Sequence, residues 1–144
     1  MFKKVLFVLL FICSPVFAGE LTTFEAITQA LDVGKEINVV VHDTLCKMDD
    51  PNEYKIPAST MVIKPSALLF TDNLLSFDSV KFASSKLPYA NNGLLQRGTF
   101  VLTTTGQVNI LIAFFDAETN KKIPQWNDVK IQCQLGEGVK VYQG

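Results

Sequence analysis

The sequence has one histidine, one tryptophan and three cysteines in 144 residues. A single histidine leaves no set of imidazoles from which to build a metal centre. No CxxC pair occurs, which removes the usual redox and zinc-ribbon signatures. There is no G-x-G-x-x-G, no P-loop and no G-x-S-x-G, so dinucleotide, nucleotide and α/β-hydrolase chemistry lack their local motifs. Charge is also sparse, at 19% of residues, with 13 basic against 14 acidic. That balance excludes a basic nucleic-acid binder and an acidic solvating tail. No basic–aromatic stripe, repeat, heptad or low-complexity stretch is present. What is abundant is apolar surface: 48% of the chain is hydrophobic, too much for a disordered protein and enough for the core of one domain.

Part of that apolar excess sits at the front. Lys3 and Lys4 precede an unbroken run from Val5 to Ile12, which Ser14 and Pro15 interrupt before Val16-Phe17-Ala18. Positive start, short apolar stretch and small closing residue predict a secretory signal peptide over residues 1–18, cleaved after Ala18. The run is too short to cross a membrane, which takes roughly 20 residues. Lipidation at Cys13 is disfavoured by the bulky Leu10-Phe11-Ile12 before it. Residues 19–144 then form a single β-rich domain with 11 basic and 14 acidic residues, net −3 and no membrane span. The expected location is the periplasm or beyond.

Cleavage also changes the cysteine arithmetic. Cys46 and Cys133 remain, and an even pair in an oxidising compartment predicts a disulfide. The alternatives are a reactive thiol or a metal ligand, for which one histidine and two lone cysteines are too few.

Along the chain, Thr22-Thr23-Phe24-Glu25 predicts a capping box at Thr22, followed by a short amphipathic helix over 23–32 that Gly34 ends. Ile37 to Val41 predicts a strand, 43–58 a polar loop, and 60–64 and 67–70 two strand pieces broken by Pro65. Leu75 to Phe82 follows, with Leu75, Phe77, Val80 and Phe82 as inward candidates. That choice changes parity at Asp78-Ser79 and predicts a bulge or bend. Residues 84–97 predict a second loop. Thr99 to Thr104 and Gln107 to Asp116 predict a hairpin turning at Thr105-Gly106. The second run is apolar on both faces, the pattern of a buried central strand. Val129 to Leu135 alternates cleanly, and Val139 to Tyr142 closes the chain. The expected fold is mainly β: an antiparallel β-sandwich or partly open barrel of six or seven strands with one short N-terminal helix.

Candidate chemistry is thin. His42 is followed by Asp43, but neighbours on a strand point to opposite faces and are poorly placed to pair. A dyad of His42 with Cys46 competes with the disulfide. Asp49, Asp50, Asn52 and Glu53 crowd one loop, yet without the glycine and spacing of a calcium loop they predict a solvated acidic segment. Asp116-Ala117-Glu118 predicts a turn. Trp126, Tyr89 and Tyr54 fall in or near loops, as binding-surface aromatics or, for Trp126, a lid on the core. No acid, base and nucleophile converge, so no catalytic, cofactor-binding or metal-ligating residue is assigned.

The strand Leu75-Ser76-Phe77-Asp78-Ser79-Val80-Lys81-Phe82, after Met61-Val62-Ile63, resembles a strand motif of the VirK family of small exported bacterial proteins. The helix-then-strand opening that ends near Cys46 is similar to the same family, as is Cys133-Gln134-Leu135-Gly136-Glu137-Gly138-Val139. The resemblance covers most of residues 19–144. It implies a Gram-negative host and an exported, virulence-associated protein without assigned biochemistry, and it supplies no catalytic residues. The expected function is therefore an exported, non-enzymatic β-domain that binds a protein or small-molecule ligand, without cofactor. The alternatives are a thiol or serine hydrolase using His42, and an envelope structural component.

Overall fold

The computed structural model describes residues 19–53, 55, 59–83 and 93–144. The expected signal peptide at 1–18, Tyr54 and Tyr89 lie outside the described residues.

The chain opens with helix α1 (Phe24–Asp32). Its N-cap is Thr23 rather than Thr22: the Thr23 hydroxyl accepts from the Ala26 backbone N–H at 3.1 Å. This satisfies one of the donors that a helix start leaves orphaned. Phe24, Ile27 and Ala30 form its buried stripe. Gly34, at φ +76°, ends it in the left-handed region that suits glycine.

Nine strands follow among the described residues: β1 (Ile37–His42), β2 (Lys47–Asp49), β3 (Thr60–Ile63), β4 (Leu68–Phe70), β5 (Leu74–Ala83), β6 (Leu94–Thr103), β7 (Gln107–Asp116), β8 (Val129–Gln134) and β9 (Val139–Gln143). They make two antiparallel sheets. The small one has the order β3-β1-β9 and the large one β2-β8-β7-β6-β5-β4. Among the described residues neither order closes on itself, so the architecture is an open sandwich and not a closed barrel, and Gly19 to Leu21 bond along the outer edge of β9. The inner faces meet in one core, where Val39, Val139 and Val141 of the small sheet pack on Leu75, Phe77, Phe100, Leu102 and Val108 of the large one. Trp126 is part of this core, its ring 4.8 Å from that of Phe114.

The strands differ from expectation at two places, one adding a strand and one lengthening an expected strand. A single 3-10 turn (Asp43–Leu45) and the short β2 lie inside the expected loop 43–58, and β2 pairs with β8 at Met48↔Ile131. The expected loop 84–97 ends at Gly93, because Leu94 to Arg97 pair with β5 on one side and β7 on the other.

Strand β5 departs most from its expected pattern. Its pairing with β6 keeps one offset from Leu74↔Thr103 through Ala83↔Leu94, so no bulge changes its parity. Leu75 and Phe77 point into the core, and the same face continues with Ser79 and Lys81. Val80 and Phe82, expected inside, lie on the outer face, 61% and 62% exposed. Strand β7 is central, as its pattern predicts, but its second apolar face is not buried. Leu111 on that face is 41% exposed.

Candidate functional site

Three features offer chemistry or binding surface. The first is the corner where the chain leaves β1. Cys46 is disulfide-bonded to Cys133, with Cα atoms 4.6 Å apart, so the small sheet's exit is tied to β8. Gly138 lies directly against this bridge. A Cβ added there would stand 2.5 Å from Cys46 Sγ and 3.3 Å from Cys133 Cβ. The backbone can pass this close only without a side chain.

His42 ends β1 and Asp43 opens the 3-10 turn, so the two side chains take different partners, Thr60 and Ser59. His42 Nδ1 lies 3.1 Å from Thr60 Oγ1 across the β1–β3 pair. The Asp43 carboxylate is 3% exposed and accepts the Ser59 backbone N–H at 2.8 Å and its hydroxyl at 3.2 Å. These bonds supply part of what a buried carboxylate loses in hydration. The bridge occupies both sulfurs, so the Cys46–His42 dyad has no thiolate to use.

The acidic loop is pinned rather than open. Asn52 is buried and bonds reciprocally to the backbone of Asn127, with N–O distances of 3.0 and 2.7 Å. Asp50 accepts from the Asn52 backbone and side chain, and Lys55 reaches the Asp50 carbonyl. Among the described residues, no three His, Cys, Asp or Glu side chains come together in a metal-binding group.

The second feature is an open cleft of about 830 Å³ between β3 and β5. Val62 and Lys64 wall one side, Ala67 and Leu69 another, and residues 76–81 of β5 the third. Lys81 sits on the inner face. Desolvation by burial pulls its pKa below the ordinary 10.5, and the negative charge of Asp43 opposes that shift. No ion pair to Lys81 forms among the described residues, so its ammonium is half-buried with only distant compensation.

The third feature is the outer face of the large sheet. Strand register aligns Phe82, Leu95 and Phe115 in one row and Val80, Arg97 and Ala113 in the next. The Arg97 guanidinium lies 4.6 Å from the Phe115 ring centroid and donates to Asn120 Oδ1 at 2.6 Å. Exposed Leu111 extends the patch. A shallow groove of about 350 Å³ runs through it, lined by Val80, Arg97, Leu111 and Phe115. Sequence reasoning assigned no site here. The two-faced apolarity of β7 carries the signal, although by pattern alone it predicts burial.

Fold and site together define a small disulfide-bonded β-sandwich with an apolar outer sheet face and an open edge cleft. No family model matches the chain, and no curated protein matches it. Among solved structures, the chain is similar to the crystal structure of a VirK family protein from Legionella pneumophila. The two share 23% identity with a TM-score of 0.71, over 85% of this chain and 97% of that one. The likeness drawn from residues 61–82 and 133–139 is therefore met at the level of the fold: the structural neighbour is a VirK family protein.

Proposed function

We propose that this chain is an exported, virulence-associated, non-enzymatic β-domain that binds a protein through the outer face of its large sheet. The observation that carries the reading is the patch of exposed apolar side chains that includes Val80, Phe82 and Leu111, drawn from three adjacent cross-strand rows. Contiguous apolar surface around a charged group is the pattern of an interaction site. The fold shared with a VirK family protein supports the virulence association. Export is supported by the Cys46–Cys133 bridge, since such bonds persist in oxidising compartments.

The test places a photo-crosslinking residue at Leu111 in the producing cell, with a second at Lys140 on β9, on the outer face of the small sheet, as control. A discrete, saturable adduct from position 111, lost in the Phe82→Asp variant, is the expected result. Mass spectrometry of the exported protein should find Gly19 at its N-terminus. No saturable adduct from position 111 would refute the binding face.

A further inference from the structure

Strand β5 is ten residues long, yet β4 covers only three of them, from Leu68↔Phe77 to Phe70↔Leu75. Continued in register, residues 66 and 67 would lie beside 79 and 78. The chain instead turns away through Pro65, which has no N–H to give a ladder, and crosses to β3 in the other sheet. Among the described residues, 78–83 of β5 therefore pair only with β6. Six residues of edge span about 20 Å, the length of an ordinary strand. Alternate residues along it aim their N–H and C=O groups away from β6. The cleft of about 830 Å³ lies against this edge, and the apolar outer face begins at the same strand.

The side chains on this stretch differ by face. Val80 and Phe82 point outward, so a strand added beside them would extend the rows that run through Arg97 and Leu95 to Ala113 and Phe115. Cross-strand apolar pairs of this kind stabilise a sheet. Lys81 points inward. An inward charge on an edge strand blocks indiscriminate pairing, because a purely apolar partner would bury the ammonium without compensation. A carboxylate opposite Lys81 removes that penalty, so the lysine selects among partners by repelling the wrong ones.

We infer that residues 78–83 of β5 are an acceptor edge for an extended segment of a partner protein, apolar beside Val80 and Phe82 and acidic beside Lys81. The inference rests on the protein-binding reading above and specifies its partner. The mode is β-augmentation, in which main-chain bonds give affinity and alternate side chains give specificity.

The experiment uses the exported protein, 15N-labelled, and the blocked synthetic peptide Thr-Val-Glu-Val-Thr. A second peptide carries Lys in place of Glu. Two further peptides are N-methylated on alternate residues, one in each phase. The expected result is a shift of the amides of 78–83 and about tenfold tighter binding of the Glu peptide than of the Lys peptide, as for a charge pair worth a fraction of its Coulomb energy. The variant Lys81→Glu should invert that preference with an unchanged far-ultraviolet spectrum. Only one methylation phase should abolish binding, because only one phase of N–H groups faces the edge. Equal loss in both phases, equal affinity for the Glu and Lys peptides, or shifts confined to other strands would overturn the inference. An adduct at position 111 without peptide binding at the edge would leave the outer-face reading standing and remove this one. Edge binding without that adduct would do the reverse.

Discussion

Removing the Cys46–Cys133 bridge should cost this domain a large share of its stability. The bridge closes 87 positions of chain, a span that includes β3 to β7 and so most of the large sheet. The chain-entropy account gives about 4.6 kcal/mol for a loop of that length. A domain of this size is stable by about 5–15 kcal/mol in total, so the bridge supplies from a third to nearly all of it. Unfolding entropy of about 2.1 cal/mol/K per residue, over the chain from Gly19 onward, converts the loss into a fall in Tm of about 17 °C. The perturbation is the double variant Cys46→Ala/Cys133→Ala, compared with the oxidised protein by calorimetry. Thiol titration of the unreduced, unfolded parent should find no free thiol.

Gly138 supplies an internal control. Gly138→Ala forces a Cβ to within 2.5 Å of Cys46 Sγ, an overpacking that costs about 1–3 kcal/mol. With Cys46→Ala in the background that sulfur is gone, and the penalty should shrink, so the two substitutions are non-additive. Two free thiols in the parent, or a Tm change below about 5 °C on removing a bridge shown to be formed, would refute the reasoning. Additive effects of Gly138→Ala and Cys46→Ala would refute the close approach.

Two more perturbations follow from the inner face of β5. Lys81 holds its proton less tightly in the folded protein than in the unfolded chain, because burial outweighs the attraction of Asp43. Its cost to stability is therefore complete at neutral pH and is relieved as pH rises through the folded pKa towards 10.5. Lys81→Met should be the more stable protein in denaturant titrations at pH 7, and its advantage should narrow as the pH approaches 10; a constant or widening advantage would contradict this. Gly98→Ala places a Cβ 2.9 Å from Cε2 of Phe100, whose ring is stacked on Phe77 at 4.8 Å, so the stacked pair must shift to admit it. It should lower stability by about 1–3 kcal/mol, and a loss below about 0.5 kcal/mol would show that the stacked pair yields.

The features legible in the sequence were those where one periodicity and one environment agree. Helix α1 has an apolar stripe at helical spacing and one face to bury. Strand β8 alternates Val129, Ile131 and Cys133 with Lys130, Gln132 and Gln134, and its burial alternates in step. The Thr105-Gly106 turn was marked by a glycine that adopts φ +78°. Strand β2 was illegible because three residues among acids and proline carry no alternation, and its pairing with β8 is a tertiary fact. Leu94 to Arg97 were lost to the Asn-Asn-Gly beside them, although Gly93 ends the loop.

The two misread strands share one cause. On β7, Leu111, Ala113 and Phe115 suggested burial on both faces. On β5, Val80 and Phe82 suggested that the core face had switched sides. Both inferences assume that apolar side chains on a strand must be inside. Here they lie on the outer face, in rows that cross β5, β6 and β7, while the inner face of β5 turns polar at Ser79 and Lys81. A sheet that needed only to fold would place these residues the other way round, since Lys81 costs stability inside and Phe82 gains none outside. The inversion occurs at the same six residues where β4 abandons the edge. Apolar outer positions, a charged inner position and a backbone that, among the described residues, pairs on one side alone thus coincide on one segment, and each is unfavourable for the isolated domain. A strand supplied by a partner would offset all three at once, which is why the departures from the folding pattern point to β5 as the binding edge.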